Sequence, residues 1–148
     1  MRVFRIAKQR YARSASEVLS GDGAAEHGGR WNLKGVPAIY CCESLSLCAL
    51  EILVHLPRGV LRLYSFIELD VPDEHVTHLS ADTPTDDETA VNVGNNLLGQ
   101  DGVLVFSVPS MVNSIERNVV INPVHPEFER ITHGEVQPFP MDQRLVRR

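Results

Sequence analysis

Apolar and polar residues alternate along two stretches of the chain, and this two-residue period is typical of half-buried β-strands. The first stretch runs from Arg2 to Ala7, and the second runs from Leu61 to Leu69 and ends before Pro72. Short apolar runs bounded by Gly, Pro or Asn predict further strands. These runs cover residues 36–42, 102–108, 118–122 and 131–139.

The clearest helix lies between Ser44 and Pro57. Ser44 or Ser46 can cap its first turn, leucines recur inside it at helical spacing, and Pro57 ends it. A helical turn is also predicted over 14–19, and a second helix over about 84–98.

The Gly-rich segment 20–29 is predicted to be a loop. Strands dominate and helices are few, which favours an α+β fold with a mixed, mainly antiparallel sheet. A length of 148 residues predicts one compact domain over residues 1–148.

Composition narrows the classes of function. A net charge of −5 argues against a broad DNA- or RNA-binding surface, so an anionic ligand has to be held by a few placed arginines. No apolar run is long enough to cross a bilayer, and residues 1–8 lack the apolar segment of a signal peptide, so the expected location is the cytoplasm. Three cysteines, two of them adjacent, predict reduced core thiols.

Glu51 is the only charged residue between Glu43 and His55, on a helix with mostly apolar neighbours. A charge on apolar surface usually serves a ligand or another charge. One interpretation is an ion pair with His55 or Arg58, or a rim position in water. The other is a carboxylate that points into a cleft.

Arg30 follows two glycines and precedes Trp31. Glycines let a ligand approach closely, and a guanidinium suits bidentate recognition of phosphate. The alternative is a surface arginine stacked on Trp31. Tyr40, taken alone, is most simply a core aromatic, and Ser110 is most simply a turn residue.

Several established site motifs are absent from the sequence. It contains no G-x-S-x-G nucleophile elbow, no H-E-x-x-H, no CxxC pair and no Walker or GxGxxG loop. His75 and His78 have no companion ligands, so no metal site is predicted.

Five short segments together carry a family resemblance. They are GGRWN at 28–32, AIY at 38–40, ALEILVH at 49–55, VPS at 108–110 and NVVINPVHP at 118–126. As a set, and in this order, they resemble the RES domain, a family named for an arginine, a glutamate and a serine. Those positions correspond here to Arg30, Glu51 and Ser110. The resemblance covers nearly the whole chain, although residues 73–101 match no motif.

The resemblance implies an ADP-ribosyltransferase-like fold and a toxin that consumes NAD. NAD would be the substrate, with no cofactor or metal, and the partner would be an Xre-type DNA-binding antitoxin. A homodimer within the toxin–antitoxin complex is compatible with this picture. Direct nucleic-acid binding and a membrane location are not expected.

The implied chemistry is cleavage of the nicotinamide–ribose bond. Glu51 would stabilise the ribosyl cation, Arg30 with help from Arg5 would bind the pyrophosphate, and Tyr40 would face the pyridinium ring. Ser110 would orient Glu51 or the ribose. Two alternatives stay open: transfer of ADP-ribose to a protein or nucleic acid, and a partner-binding domain that has lost catalysis.

Overall fold

The fold is built on one mixed sheet. The computed structural model describes residues 1–60, 62–83 and 86–147. The strands are β1 (Arg2–Lys8), β2 (Ile39–Cys42), β3 (Tyr64–Asp70), β4 (Val76–His78), β5 (Val105–Pro109), β6 (Arg117–Ile121), β7 (Thr132–His133) and β8 (Gln137–Phe139). The helices are α1 (Ala15–Val18), α2 (Asp22–His27), α3 (Leu45–His55), α4 (Asp87–Leu97) and α5 (Gln143–Val146).

The strand order is β4-β5-β6-β2-β1-β3-β7, and β8 also pairs with β3. The β4–β5 pair is parallel, whereas the other pairs are antiparallel. The predicted α+β fold with a mixed, mainly antiparallel sheet is therefore confirmed. In the described part of the chain, no helix is long and apolar enough to cross a membrane.

Both faces of the central strands are covered because apolar side chains alternate between two layers. Val3, Ile39 and Val119 belong to the main core on one face. On the other face, Phe106 and Val120 pack with Trp31. A small cluster of Phe4, Ile6, Cys42, Leu47 and Cys48 fixes α3 over the sheet. The three cysteines are buried free thiols, as the sequence predicts.

Strands β1 and β2 pair over a short length and then diverge, and this divergence leaves a gap in the sheet. β1 pairs with β3 from Arg2↔Asp70 to Lys8↔Tyr64, but its register with β2 is limited to Phe4↔Cys42. The Arg5 side chain bridges the resulting gap, because its Nη1 donates to the Tyr40 carbonyl at 3.0 Å. A cleft opens at this place.

The prediction of a loop over 20–29 is wrong, because residues 22–27 form α2. Gly21 (φ 74°) precedes the helix and Gly28 (φ 71°) follows it, and both have a positive φ that favours glycine. Asp22 in the first turn complements the helix dipole. Much of the glycine content therefore marks the helix ends.

The other predicted elements form with small changes of boundary. Ser44 caps α3 by accepting a bond from the Leu47 N–H at 3.0 Å. The predicted last strand over 131–139 is instead two short strands, β7 and β8, that both pair with β3. Three residues of the predicted elements, Leu61, Pro84 and Thr85, lie outside the described residues.

Candidate active site

The cleft between β1 and β2 has a volume of about 980 Å³. Its floor includes Ile6 and Tyr40, and α3 contributes Glu51 to its wall. Residues from α2 and the segment before it form the opposite side. A cleft of this size suits a nucleotide-sized ligand.

Glu51 is half-buried, and neighbouring side chains orient its carboxylate. Its Oε1 accepts hydrogen bonds from Ser110 Oγ at 2.8 Å and from Asn118 Nδ2 at 2.7 Å. Both donors bind the same oxygen, so Oε2 has no protein donor among the described residues. Among the described residues, Glu51 also forms no ion pair with His55 or Arg58. The carboxylate is held on one side and offered to the cleft on the other.

Ser110 is oriented by the turn that follows β5. Its Oγ accepts bonds from the Val112 and Asn113 N–H groups at 3.0 and 3.1 Å. A hydroxyl has two acceptor positions and one hydrogen, so the hydrogen is left to point at Glu51. The predicted link between Ser110 and Glu51 is thus present as a direct hydrogen bond.

Replacing Ser110 with Ala tests this orientation. We expect Ser110→Ala to lower the rate of nicotinamide release from NAD about tenfold, because one bond that positions the carboxylate is lost. Steady-state kinetics would measure it, with Ser16→Ala, in an exposed helix turn, as the matched control. Equal rates for both variants would contradict a positioning role.

Asn118 is a site residue that the residue-by-residue interpretation did not assign. It begins the apolar run of β6 opposite Cys42, and its Nδ2 donates to Glu51. Its Oδ1 accepts from Cys42 Sγ at 3.4 Å, so this amide orientation satisfies both neighbours. The only hint in the sequence was a carboxamide at the start of an otherwise apolar strand.

Tyr40 lies in the cleft, and its hydroxyl is held by the 29–32 loop. The hydroxyl donates to Asn32 Oδ1 at 2.7 Å and accepts from the Trp31 N–H at 3.0 Å. A Cβ at Gly29 would lie 2.7 Å from this hydroxyl, so glycine is needed there. Burial raises the pKa of Tyr40 to about 12, although the Trp31 N–H opposes the shift. The hydroxyl therefore stays protonated, and the neutral side chain borders the cleft.

Tyr40→Phe would keep the ring and leave two polar groups without their partner. We expect the free energy of unfolding to fall by about 1–3 kcal/mol, because the Asn32 carbonyl and the Trp31 N–H lose a bond. Nicotinamide release should change little. Urea unfolding checks the first expectation, and unchanged stability would contradict it.

The two predicted arginines occupy different places. Arg5 is half-buried in the cleft, and its Nε donates to the Val18 carbonyl at 2.9 Å. Burial lowers its pKa, an effect that the nearby Cys41 and Cys48 thiols oppose, yet an arginine remains charged at neutral pH. Its remaining N–H groups are not used by described residues, which suits an anion or a ribose oxygen.

Arg30 does not border the cleft within the described residues. Its Nη1 lies 3.8 Å from Asp87 Oδ1 at the start of α4. The adjacent Trp31 is buried and packs edge-on against Phe106, with ring centroids 6.0 Å apart. Arg30 is thus joined to the site through the loop that holds the Tyr40 hydroxyl, and its predicted contact with pyrophosphate stays a prediction.

Two of the cysteines beside the cleft, Cys41 and Cys42, are held as neutral thiols. Burial raises the pKa of Cys41 to about 12, and contact with the Cys48 thiol together with burial raises that of Cys42. A thiol attacks as its thiolate, and these conditions keep the proton on sulfur. Glu51 therefore stays the candidate reactive group of the cleft.

One cleft of this α+β domain therefore brings together an oriented carboxylate, a neutral tyrosine and a half-buried arginine. The RES domain family model matches residues 2–142, and the chain belongs to this family. It is 34% identical to "Prs ADP-ribosylating toxin" of Sphingobium sp. over 90% of this chain and 89% of that protein. It is also 34% identical to "Toxin Res" of Yersinia enterocolitica, over 98% and 99% of the two chains. "Toxin Res" of Photorhabdus laumondii is 31% identical over 99% and 98%.

Proposed function

We propose that this protein is a toxin that consumes NAD by breaking the bond between nicotinamide and ribose. The observation that carries the proposal is the Glu51 carboxylate, held by Ser110 and Asn118 at the wall of a nucleotide-sized cleft. The toxin names of three relatives over nearly their full lengths support it.

The chemistry needs little from the protein besides charge and position. The pyridinium nitrogen of NAD is cationic, so it leaves with the bonding electron pair as neutral nicotinamide and requires no general acid. Positive charge then develops on the ribose, and a fixed carboxylate stabilises it. In this proposal Glu51 Oε2 faces the ribose, and Oε1 is kept in place by its two donors.

The other cleft residues have binding roles in the proposal. The neutral ring of Tyr40 faces the cationic pyridinium, an attraction that is lost once nicotinamide becomes neutral. Arg5 donates to ribose or phosphate oxygens. Water then attacks the anomeric carbon and releases a proton to solvent, so the products are nicotinamide and ADP-ribose. Phosphate as the acceptor would give ADP-ribose with a phosphate on the same carbon.

Transfer of ADP-ribose to a macromolecule is the second candidate. It is favoured by one relative, whose name states that it ADP-ribosylates Prs. Both candidates share the first step and the role of Glu51, and they differ only in the acceptor.

The test uses purified, antitoxin-free protein and NAD labelled in the adenine ring. Release of nicotinamide with the label in free ADP-ribose would support hydrolysis, and added phosphate would reveal phosphorolysis by a new labelled product. In a parallel reaction with cell extract as the source of acceptors, label in precipitated protein or nucleic acid would support transfer. Intact NAD beside a folded protein would contradict the proposal as a whole.

The partner is proposed on the same ground. Three relatives carry the name "Toxin Res", and the family resemblance implies an Xre-type DNA-binding antitoxin and a cytoplasmic toxin. The test is to co-express the protein with an adjacent reading frame that encodes a helix-turn-helix protein. Growth restored by that frame, and not by a truncated copy of it, would support the partner, whereas unchanged toxicity would contradict it.

A further inference from the structure

Three basic side chains gather at one end of the cleft. Lys8 ends β1, Arg10 lies in the 3₁₀ turn Gln9–Tyr11, and Arg62 precedes β3. The Gln9 N–H donates to the Leu63 carbonyl at 2.9 Å, and this bond fixes the turn beside the segment that carries Arg62. The three cations border the main cleft and also a second hollow of about 410 Å³.

The cluster has no carboxylate to balance it. Within residues 1–60, 62–83 and 86–147, none of the three cationic groups lies within 4.0 Å of a carboxylate oxygen. By contrast, Arg13 and Arg144 hold carboxylates at 2.9 and 2.8 Å. The chain has 19 acidic residues and a net charge of −5, so an unbalanced trio of cations is unexpected.

The cations also disfavour one another. Partial burial and the charges of Arg62 and Arg10 lower the pKa of Lys8. Like charges held together in this way raise the free energy of the empty site, and a bound anion removes that cost. Arg10 is further held over the Tyr11 ring, 4.7 Å from its centroid, which keeps the guanidinium at the cleft.

The position of the cluster fits one part of a dinucleotide. Lys8 and Ile6 both border the cleft and lie two residues apart on β1, about 7 Å along the strand. Ile6 shares the floor with Tyr40, so the cations begin a short step from the place proposed for nicotinamide. In NAD, the pyrophosphate carries two negative charges and lies at a similar distance from the nicotinamide.

We propose that Lys8, Arg10 and Arg62 form the subsite for the pyrophosphate of a dinucleotide, an inference that rests on the function proposed above. In this proposal Arg30 does not bind the pyrophosphate directly, because it is not among the described residues that line the cleft. The dinucleotide runs from Glu51 and Tyr40 toward the end of β1. A macromolecular anion is the less suitable occupant, because the cluster stands in the wall of the same cleft and not on an extended basic surface.

The test compares ligands that differ only in their phosphates. ADP and adenosine are titrated by calorimetry into wild-type protein and into the triple variant Lys8→Gln, Arg10→Gln, Arg62→Gln. We expect the dissociation constant for ADP to rise at least about tenfold, because charge-assisted bonds are lost, while that for adenosine stays unchanged. The matched control, Lys34→Gln, Arg58→Gln, Arg147→Gln, removes the same charge from exposed residues that do not line the cleft and should bind ADP like wild type.

Kinetics supply a second readout. The triple variant should show a raised KM for NAD with little change in kcat, and an unchanged kcat/KM for nicotinamide riboside, which lacks phosphate. Equal ADP affinity in wild type and triple variant, or an equal loss in the control, would overturn the subsite. Intact NAD together with phosphate-dependent ADP binding would overturn the proposed function while supporting the subsite.

Discussion

Glu51→Gln is expected to lower nicotinamide release from NAD by about a thousandfold or more and to leave the protein folded. The Oε1 of glutamine can still accept the bonds from Ser110 and Asn118, whose donor atoms lie 2.8 and 2.7 Å from this oxygen. Shape and local hydrogen bonds are thus preserved. The negative charge, which is the feature that stabilises a ribosyl cation, is removed.

The control for this variant is Glu26→Gln. Glu26 borders the same cleft but has an exposed side chain, so its loss removes one charge near the ligand without touching the network. Circular dichroism and thermal unfolding would verify that both variants fold. Nicotinamide release from Glu51→Gln at the wild-type rate would show that the carboxylate is not the catalytic group.

The elements that sequence predicted well have local causes. Ser44 and Pro57 bound α3 because capping and the loss of an N–H act within a few residues. The alternation of apolar and polar residues in β1 and β3 predicts apolar contacts on both faces of the sheet, and the structure contains them. Glu51 was a candidate for a similar reason, since a charge on an apolar helix is costly unless something uses it.

The features that sequence did not predict depend on contacts distant in the chain. β4 was missed because Val76–His78 is short and polar, and it is a strand only through its pairing with β5. Asn118 becomes a site residue only because β2 and β6 bring it beside a helix 67 positions away. The divergence of β1 from β2, which opens the cleft, likewise has no local signature.

The positions of the two arginines also depend on contacts distant in the chain, which the sequence does not predict. Arg30 lies in the most recognisable motif, GGRWN, yet the structure places its guanidinium beside Asp87 of α4. Arg5, in an ordinary strand, enters the cleft because the sheet splits at that point. A sequence motif therefore identifies the family more readily than it places each of its side chains in the structure.

Asn118→Asp is expected to link the stability of the protein to pH through the site itself. The new carboxylate oxygen would take the place of Nδ2, which lies 2.7 Å from Glu51 Oε1. Two carboxylates at this distance cannot both be ionised, so the folded variant retains one shared proton well above pH 4. The unfolded chain releases that proton near pH 4.

The sign of the effect follows from this proton balance. Above about pH 4 the folded variant binds more protons than the unfolded chain, so its free energy of unfolding falls as pH rises, by up to about 1.4 kcal/mol per pH unit. The fall ends where the pair loses its shared proton. Urea unfolding of wild type and variant at pH 5, 6, 7 and 8 measures the difference, which should widen with pH.

Activity should fall in the same variant, by about a hundredfold at pH 7, because a carboxylate that shares a proton stabilises the ribosyl cation less well. Asn118→Leu is the control of similar size: it also loses the donor to Glu51, but it adds no titrating group and should unfold in parallel with wild type across this pH range. Parallel profiles for Asn118→Asp as well would mean that residue 118 does not approach Glu51 in solution. A widening difference confined to Asn118→Asp would establish the contact that positions the carboxylate.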